Sequence, residues 1–180
     1  MEHFENDTTE SIPHLLEHRI PWLFLGLIGG IVTSVIMSHY EEVLASDIRL
    51  AFFIPVIVYM SGAVGVQTET IYVRNITKKK SHLIRYLIKE SVLGFALGII
   101  FGSILGLFAS YWLGSADIGM AVGLTMLINL TIAPVLASLI PALLYKEHKD
   151  PALGAGPVVT ITQDLISLLV YFFVSMLIIF

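Results

Sequence analysis

The chain has 180 residues, of which 56% are hydrophobic and only 13% are charged, about half the charged fraction of an ordinary soluble domain. Its formal net charge is −4, with most of the charged residues outside the long apolar runs, and its lack of cysteine excludes disulfides, thiolate metal sites and cysteine nucleophiles. This composition excludes a water-soluble globular fold and predicts an all-α integral membrane protein.

Five apolar runs are each long enough for a helix that crosses a bilayer, which needs about 20 residues. They form one transmembrane domain, 20–180, with spans at 20–38, 50–73, 83–113, 118–145 and 152–180. The tail that precedes them, 1–19, is acidic where a signal peptide would carry basic residues. Within this tail, His14 to Arg19 is expected to form a short interfacial helix.

Span two contains residues that weaken a helix, namely Pro55 and the glycines of the segment 61–69. Backbone carbonyls freed by such residues are tolerated at membrane depth only against protein or a water-filled cavity. Two interpretations of Glu69 on this span stay open. It either lines the entrance of an ion path or is an interfacial carboxylate that pairs with Arg74 or Lys89.

Spans three and four are rich in small residues. On span three, a glycine stands at every fourth position: Gly94, Gly98, Gly102 and Gly106. Such a ridge lets a second helix approach closely, and we expect packing within the chain in preference to a dimer seam. Span four adds Gly119 and Gly123, for which we expect the same, and Asn129, which is expected to form an interhelical hydrogen bond.

Span five carries Asp164, 13 residues beyond Pro151, which corresponds to about 20 Å along a helix and places it near the bilayer centre. A carboxylate at this depth is costly, so it is a functional candidate that should face a cavity or the bundle interior. A buried structural carboxylate bonded to Asn129 is the alternative. The polar stripe predicted around it, flanked by Gln163, consists of Pro157, Thr160, Asp164, Ser167 and Tyr171.

The distribution of Lys and Arg predicts the orientation. Nine of the ten lie in the N-terminal tail and in the connections between spans two and three and spans four and five, including Lys78 to Lys80. Arg49 is the only one expected on the opposite side. The positive-inside rule therefore predicts a cytoplasmic N-terminus and a C-terminus on the outside of the cell membrane.

The ligand chemistry of the spans favours a hard cation. Oxygen groups suit Mg²⁺, which keeps several waters and binds only one or two carboxylates. All six histidines lie in tails or connections, which argues against a zinc or copper site within the spans. One carboxylate per chain balances half of a divalent ion, and a two-fold axis would bring a second Asp164 to the site.

Two segments resemble the MgtE-type magnesium channels and transporters. Residues 150–157 with 160–164 are similar to that family's fifth-helix signature, and residues 55–68 with Arg74 are similar to its second-helix motif. Asn129 and the pair Ile140-Pro141 match its fourth helix. The chain departs from the family at Ala63 and Gln163, where asparagine and threonine are usual, and no counterpart of the family's cytosolic N-domain or CBS pair is expected in these 180 residues.

The resemblance implies a homodimer whose pore runs along the two-fold axis and is lined by spans two and five. It implies that Asp164 holds a largely hydrated Mg²⁺, the transported ion. Besides Asp164 as the metal site, the pore-lining candidates are Gly62, Ala63, Gly65, Thr68, Glu69, Pro157, Thr160, Gln163 and Ser167.

We therefore predict passive divalent cation transport, with Mg²⁺ as the first candidate ion. A coupled antiporter that exchanges the ion for H⁺ or Na⁺, and a non-transporting membrane scaffold, are the alternatives. The sequence shows no nucleophile–base pair, phosphate loop or metal-hydrolase spacing, so no enzyme is predicted. The expected partners are a second copy of the chain, the lipid bilayer and divalent cations, without nucleic acid.

Overall fold

A computed structural model describes residues 11–76, 83–147 and 151–179 of the chain. These residues form helices and no strand. The elements in chain order are α1 (Ile12–Ser38), α2 (Glu41–Ser46), a 3-10 helix (Ile48–Phe53), α3 (Ile54–Ile76), α4 (Leu83–Leu113), α5 (Ala116–Lys146) and α6 (Pro151–Ile179). Four of the basic residues on which the orientation prediction depends, Lys78 to Lys80 and Lys149, lie outside the described residues, as do the first ten residues of the acidic tail.

Five helices are long and apolar enough to cross a membrane: α1, α3 with its preceding 3-10 turns, α4, α5 and α6. This confirms the prediction of an all-α protein with five spans. The first boundary differs from the prediction, because α1 is continuous from Ile12 and contains Pro21. The residues His14 to Arg19 are therefore the first turns of α1 and not a separate interfacial helix. A proline inside a helix removes one hydrogen bond and crowds the preceding turn, but the backbone bond from Leu15 to Ser11 (3.0 Å) shows that the helix is already formed before Pro21.

Helix α5 is the centre of the bundle. It packs against α3, α4 and α6, whereas α1 packs chiefly against α6. The side chains of α5 that are least exposed to solvent are small or aliphatic and include Ala121, Val122, Leu130 and Ala133. By contrast, Thr33 is the one buried residue of α1, so that helix lies at the periphery of the chain.

The glycine ridge of α4 forms the tightest helix contact in the bundle. A Cβ atom added at Gly98 or Gly106 would lie 2.8 Å from the carbonyl oxygen of Leu127 or Gly119 on α5, and one at Gly102 would lie 2.6 Å from that of Gly123. These distances are shorter than any ordinary carbon–oxygen contact. The ridge therefore packs α4 on α5 within one chain, as the sequence predicted.

Hydrogen bonds tie the short helices to the ends of the spans. Asp47 accepts from the Arg49 side chain (2.6 Å and 2.8 Å) and from its backbone N–H (3.0 Å), and these bonds lower the pKa of the Asp47 carboxyl. Arg49 also donates to the Leu113 carbonyl at 3.4 Å. Gly114, which follows Leu113, has φ +63° and ends α4 in the left-handed conformation that glycine adopts at low cost.

Candidate functional site

Asp164 lies at the middle of α6. It is the fourteenth of 29 residues in that helix, and its side chain borders a groove of about 460 Å³ between α6 and α1. The lining residues are Leu23, Gly26, Pro157, Thr160, Ile161 and Asp164. The groove is open at the surface of the single chain, so the Asp164 carboxylate faces a cavity.

Two glycines of α1 allow that helix to lie close to the part of α6 that borders the groove. A Cβ atom at Gly26 would lie 3.7 Å from the Pro157 side chain, and one at Gly29 would lie 2.6 Å from Ile161 Cγ1. Gly26 and Gly29 thus allow α1 to lie close to α6 beside Pro157 and Ile161. Thr160 is exposed and Pro157 is partly exposed, so these two residues and Asp164 share one accessible face.

The second half of the predicted polar stripe does not continue along the groove. Ser167 and Tyr171 are 1% and 0% exposed, and the Ser167 carbonyl accepts a hydrogen bond from Asn129 Nδ2 at 3.2 Å. The stripe drifts by only about 40° around the helix axis from Pro157 to Tyr171, because 3.6 residues complete a turn. Its later residues are buried because α5 and the 3-10 helix cover that end of α6, where Asn129 bonds to the Ser167 carbonyl and Leu50 to the Tyr171 hydroxyl.

Gln163 also faces the bundle interior. Its side chain is 1% exposed, and its Nε2 donates to the Ala133 carbonyl of α5 at 2.9 Å. The same amide fills the space beside Gly65 of α3, where a Cβ atom would overlap it. Gln163 and Gly65 therefore pack against each other within the chain, and neither lies on the groove.

The remaining candidates on α3 fall into two groups. Gly62 and Ala63 are partly exposed, and a Cβ atom on Gly62 would meet no atom within 4 Å. Glu69 is partly exposed as well, and its Oε1 lies 3.9 Å from the Cβ position of Gly156 on α6. Thr68, by contrast, is buried and bonds to α4. Three candidates on α3 are thus accessible from outside the chain, and two pack inside it.

A carboxylate that sequence reasoning missed lies inside the bundle. Glu90 of α4 is 8% exposed and accepts a hydrogen bond from Thr68 Oγ1 at 3.0 Å. Near this pair, the rings of Tyr72 and Tyr86 lie 5.0 Å apart. The available signal was a glutamate within an apolar run, where a carboxylate is costly and requires a partner or a cavity.

The geometry differs from that expected of a purely structural Asp164. The amide nitrogen of Asn129 donates to the Ser167 backbone, and the structure shows no hydrogen bond from Asn129 to Asp164 within the described residues. In the same part of the chain, no group of three His, Cys, Asp or Glu side chains could hold a metal ion. Asp164 is therefore one carboxylate in an open groove, and a hydrated cation is a suitable ligand for it because water can supply the remaining coordination.

Comparison with known proteins gives one consistent family. The family described as MgtE, a divalent cation transporter, matches residues 54–174. The chain is 31% identical over 157 residues to the magnesium transporter MgtE of Bacillus subtilis, and 33% identical over 157 residues to that of Enterococcus faecalis. The magnesium transporter MgtE of Thermus thermophilus is 31% identical over 162 residues.

These matches cover most of the chain but a minor part of each relative. They include 86% of this chain and 35% of the relative for the first two proteins, and 88% and 36% for the third. The chain thus spans just over a third of the length of the curated relatives it matches. The matched family segment begins at the start of α3 and includes most of α6, so it contains Asp164 and every other candidate named above.

Proposed function

Since the chain belongs to the MgtE family of divalent cation transporters, we propose that it transports Mg²⁺ across the membrane through a pore that contains Asp164. One observation carries this proposal: a carboxylate at the midpoint of a membrane span borders an open groove. The names of the three relatives, each a magnesium transporter, support Mg²⁺ as the ion.

The proposed pore lies between two copies of the chain. A single Asp164 offsets half the charge of a divalent ion, and a two-fold axis beside the groove would supply the second carboxylate. From each copy, the accessible candidates would line the pore: Gly62, Ala63 and Glu69 from α3, and Pro157, Thr160 and Asp164 from α6. Gly65, Thr68, Gln163 and Ser167 pack inside the single chain and would support this lining from behind.

Asp164 would bind the ion through its water shell. Mg²⁺ loses its waters reluctantly and is usually held by one or two carboxylates with several waters retained. The hydroxyl of Thr160, one helical turn before Asp164 on the same accessible face, adds an oxygen that can accept a hydrogen bond from such waters. A site of this kind binds weakly enough to release the ion, as conduction requires.

Replacement of Asp164 by asparagine tests the proposal. The side chain keeps its size, but two negative charges leave the dimer. Even at the dielectric constant of bulk water, about 80, a unit negative charge about 5 Å from a divalent cation contributes about 1.7 kcal/mol, which corresponds to more than about tenfold in affinity. We expect Asp164→Asn to raise the half-saturating Mg²⁺ concentration by at least about tenfold and to weaken discrimination against monovalent cations.

The assay is flux into liposomes with a Mg²⁺-sensitive dye, with protein content and dimer content measured in parallel. Asp117→Asn is the matched control, because it removes an exposed carboxylate from the first turn of α5, away from the groove. Normal Mg²⁺ flux and selectivity in a folded Asp164→Asn protein would refute the pore assignment. A wild-type flux that depends on a proton or sodium gradient would favour the antiporter.

A further inference from the structure

The buried face of α6 is held by three interhelical hydrogen bonds spaced one turn apart. Gln163 donates to the Ala133 carbonyl of α5 (2.9 Å), the Ser167 carbonyl accepts from Asn129 of α5 (3.2 Å), and the Tyr171 hydroxyl donates to the Leu50 carbonyl (2.8 Å). All three positions on α6 are at most 1% exposed. Together these bonds fix the rotation of α6 about its own axis.

The Gln163 bond differs from the other two because the same side chain also contacts α3. Its amide occupies the notch that Gly65 leaves on α3, and a Cβ atom at residue 65 would overlap both the nitrogen and the oxygen of that amide. One side chain therefore bonds to α5 and separates α3 from α6. These last two helices carry the accessible candidates of the proposed pore.

The position of Gln163 next to Asp164 couples this contact to the site. Consecutive residues on an α-helix point about 100° apart. When Gln163 is held against α3 and α5, Asp164 must point away from that contact, toward the groove that α1 and α6 form. Rotation or inward movement of α6 would turn the Asp164 carboxylate away from the groove.

We propose that Gln163 is the positioning residue of the Asp164 site and that it sets the affinity and ion specificity of the site by fixing the spacing of α3 and α6. This inference rests on the proposed function for its transport readout. Gln163 does not touch the ion. It acts through the backbone of α6 and through the notch at Gly65, and a shorter side chain would let the two helices approach.

Two substitutions of Gln163 separate the effect of its hydrogen bond from the effect of its size. Gln163→Ala removes the hydrogen bond and the spacer, whereas Gln163→Met keeps an unbranched side chain of similar length in the notch and removes only the bond. We expect Gln163→Ala to change the half-saturating Mg²⁺ concentration by about three- to tenfold and to alter the Mg²⁺-to-Ca²⁺ flux ratio. Gln163→Met should have a smaller effect on both, and the maximal Mg²⁺ flux should change less than half-saturation in each variant.

A double variant tests whether the spacing of α3 and α6 can be restored from the other helix. In the double variant Gly65→Ala with Gln163→Ala, a methyl group on α3 refills part of the space that the glutamine vacated. We expect this double variant to return the flux ratio toward the wild-type value. Gly65→Ala in the presence of Gln163 should instead be destabilising, because its methyl group overlaps the amide.

Tyr171→Phe is the control for a general loosening of α6. It removes the bond to Leu50, two turns from Gln163 on the same buried face, and should lower thermal stability while changing half-saturation and the flux ratio much less than Gln163→Ala does. The Mg²⁺-dependent rise in melting temperature of each purified variant, recorded beside the flux, reports the site independently of transport.

The outcomes are distinct. Unchanged half-saturation, flux ratio and Mg²⁺-dependent stabilisation in folded Gln163→Ala and Gln163→Met would overturn the inference. So would a Tyr171→Phe variant whose flux ratio shifts as far as that of Gln163→Ala, because the effect would then be loss of packing alone. If the wild-type protein itself shows no Mg²⁺ flux, the proposed function fails, and the stabilisation measurement still decides whether Gln163 positions a cation site.

Discussion

A methyl group added at Gly102 tests the close contact between α4 and α5. The Cβ atom of Gly102→Ala would lie 2.6 Å from the Gly123 carbonyl oxygen, whereas a carbon atom approaches a carbonyl oxygen to about 3.3 Å or more. The obstacle is backbone and cannot rotate away. Helices α4 and α5 would therefore have to separate by about 0.7 Å along a seam of close glycine contacts.

The expected cost follows from two opposing terms. Overpacking of a tight core costs about 1–3 kcal/mol, and the upper end applies because the clash is with backbone. Alanine in place of glycine within a helix returns at most about 1 kcal/mol. The net loss should be about 2 kcal/mol, which for a chain of this size corresponds to a fall in melting temperature of about 4–8 °C.

Thermal unfolding of the purified protein in detergent, followed by circular dichroism, measures this change. Gly62→Ala is the matched control for stability, since a Cβ atom there meets nothing within 4 Å in the chain. It should leave the melting temperature unchanged or raise it slightly. A Gly102→Ala protein that melts with or above the wild type would refute the backbone contact between α4 and α5.

Two further predictions concern the ends of the spans. Because hydrogen bonds from Arg49 lower the pKa of Asp47 below its ordinary value of 3.8, their stabilisation is fully present above about pH 4 and is lost as pH falls through the lowered value. The difference in melting temperature between wild type and Asp47→Asn should thus be larger near pH 7 than at about pH 3, and equal differences would contradict the ion pair. For orientation, cysteines at Glu42 and Glu147 should react with an impermeant thiol reagent from the outside and from the cytoplasmic side, and labelling from one side would exclude the five-span topology.

The number and placement of the spans could be predicted from the sequence because a membrane imposes a one-dimensional constraint. A helix must carry about 20 apolar residues to satisfy its backbone in lipid, and that requirement is visible in the order of residues alone. The same holds for the glycine ridge of α4, whose four-residue spacing predicts a close helix contact. Its partner, α5, follows α4 after a two-residue connection, and short connections favour antiparallel neighbours.

The midpoint position of Asp164 and its access to a groove were predictable for a related reason. Depth follows from counting residues along a helix, and the cost of a charge in lipid requires a cavity or a partner. The family could also be recognised, because the residues of two sequence motifs carry the resemblance. These motifs correspond to α3 and to the first half of α6. The continuous start of α1 at Ile12 was not predicted. In the sequence alone, polar residues followed by Pro21 indicate the end of one helix and the start of another.

The tertiary structure decided which candidates face the groove and which face the protein. Sequence spacing gives the angle between two residues on one helix, but the rotation of that helix against its neighbours depends on contacts from other helices. For α6, these are the hydrogen bonds of Gln163, Ser167 and Tyr171 with residues 30 or more positions away. Gln163 therefore became part of the interior and Asp164 part of the surface, although they are adjacent in the chain and both polar.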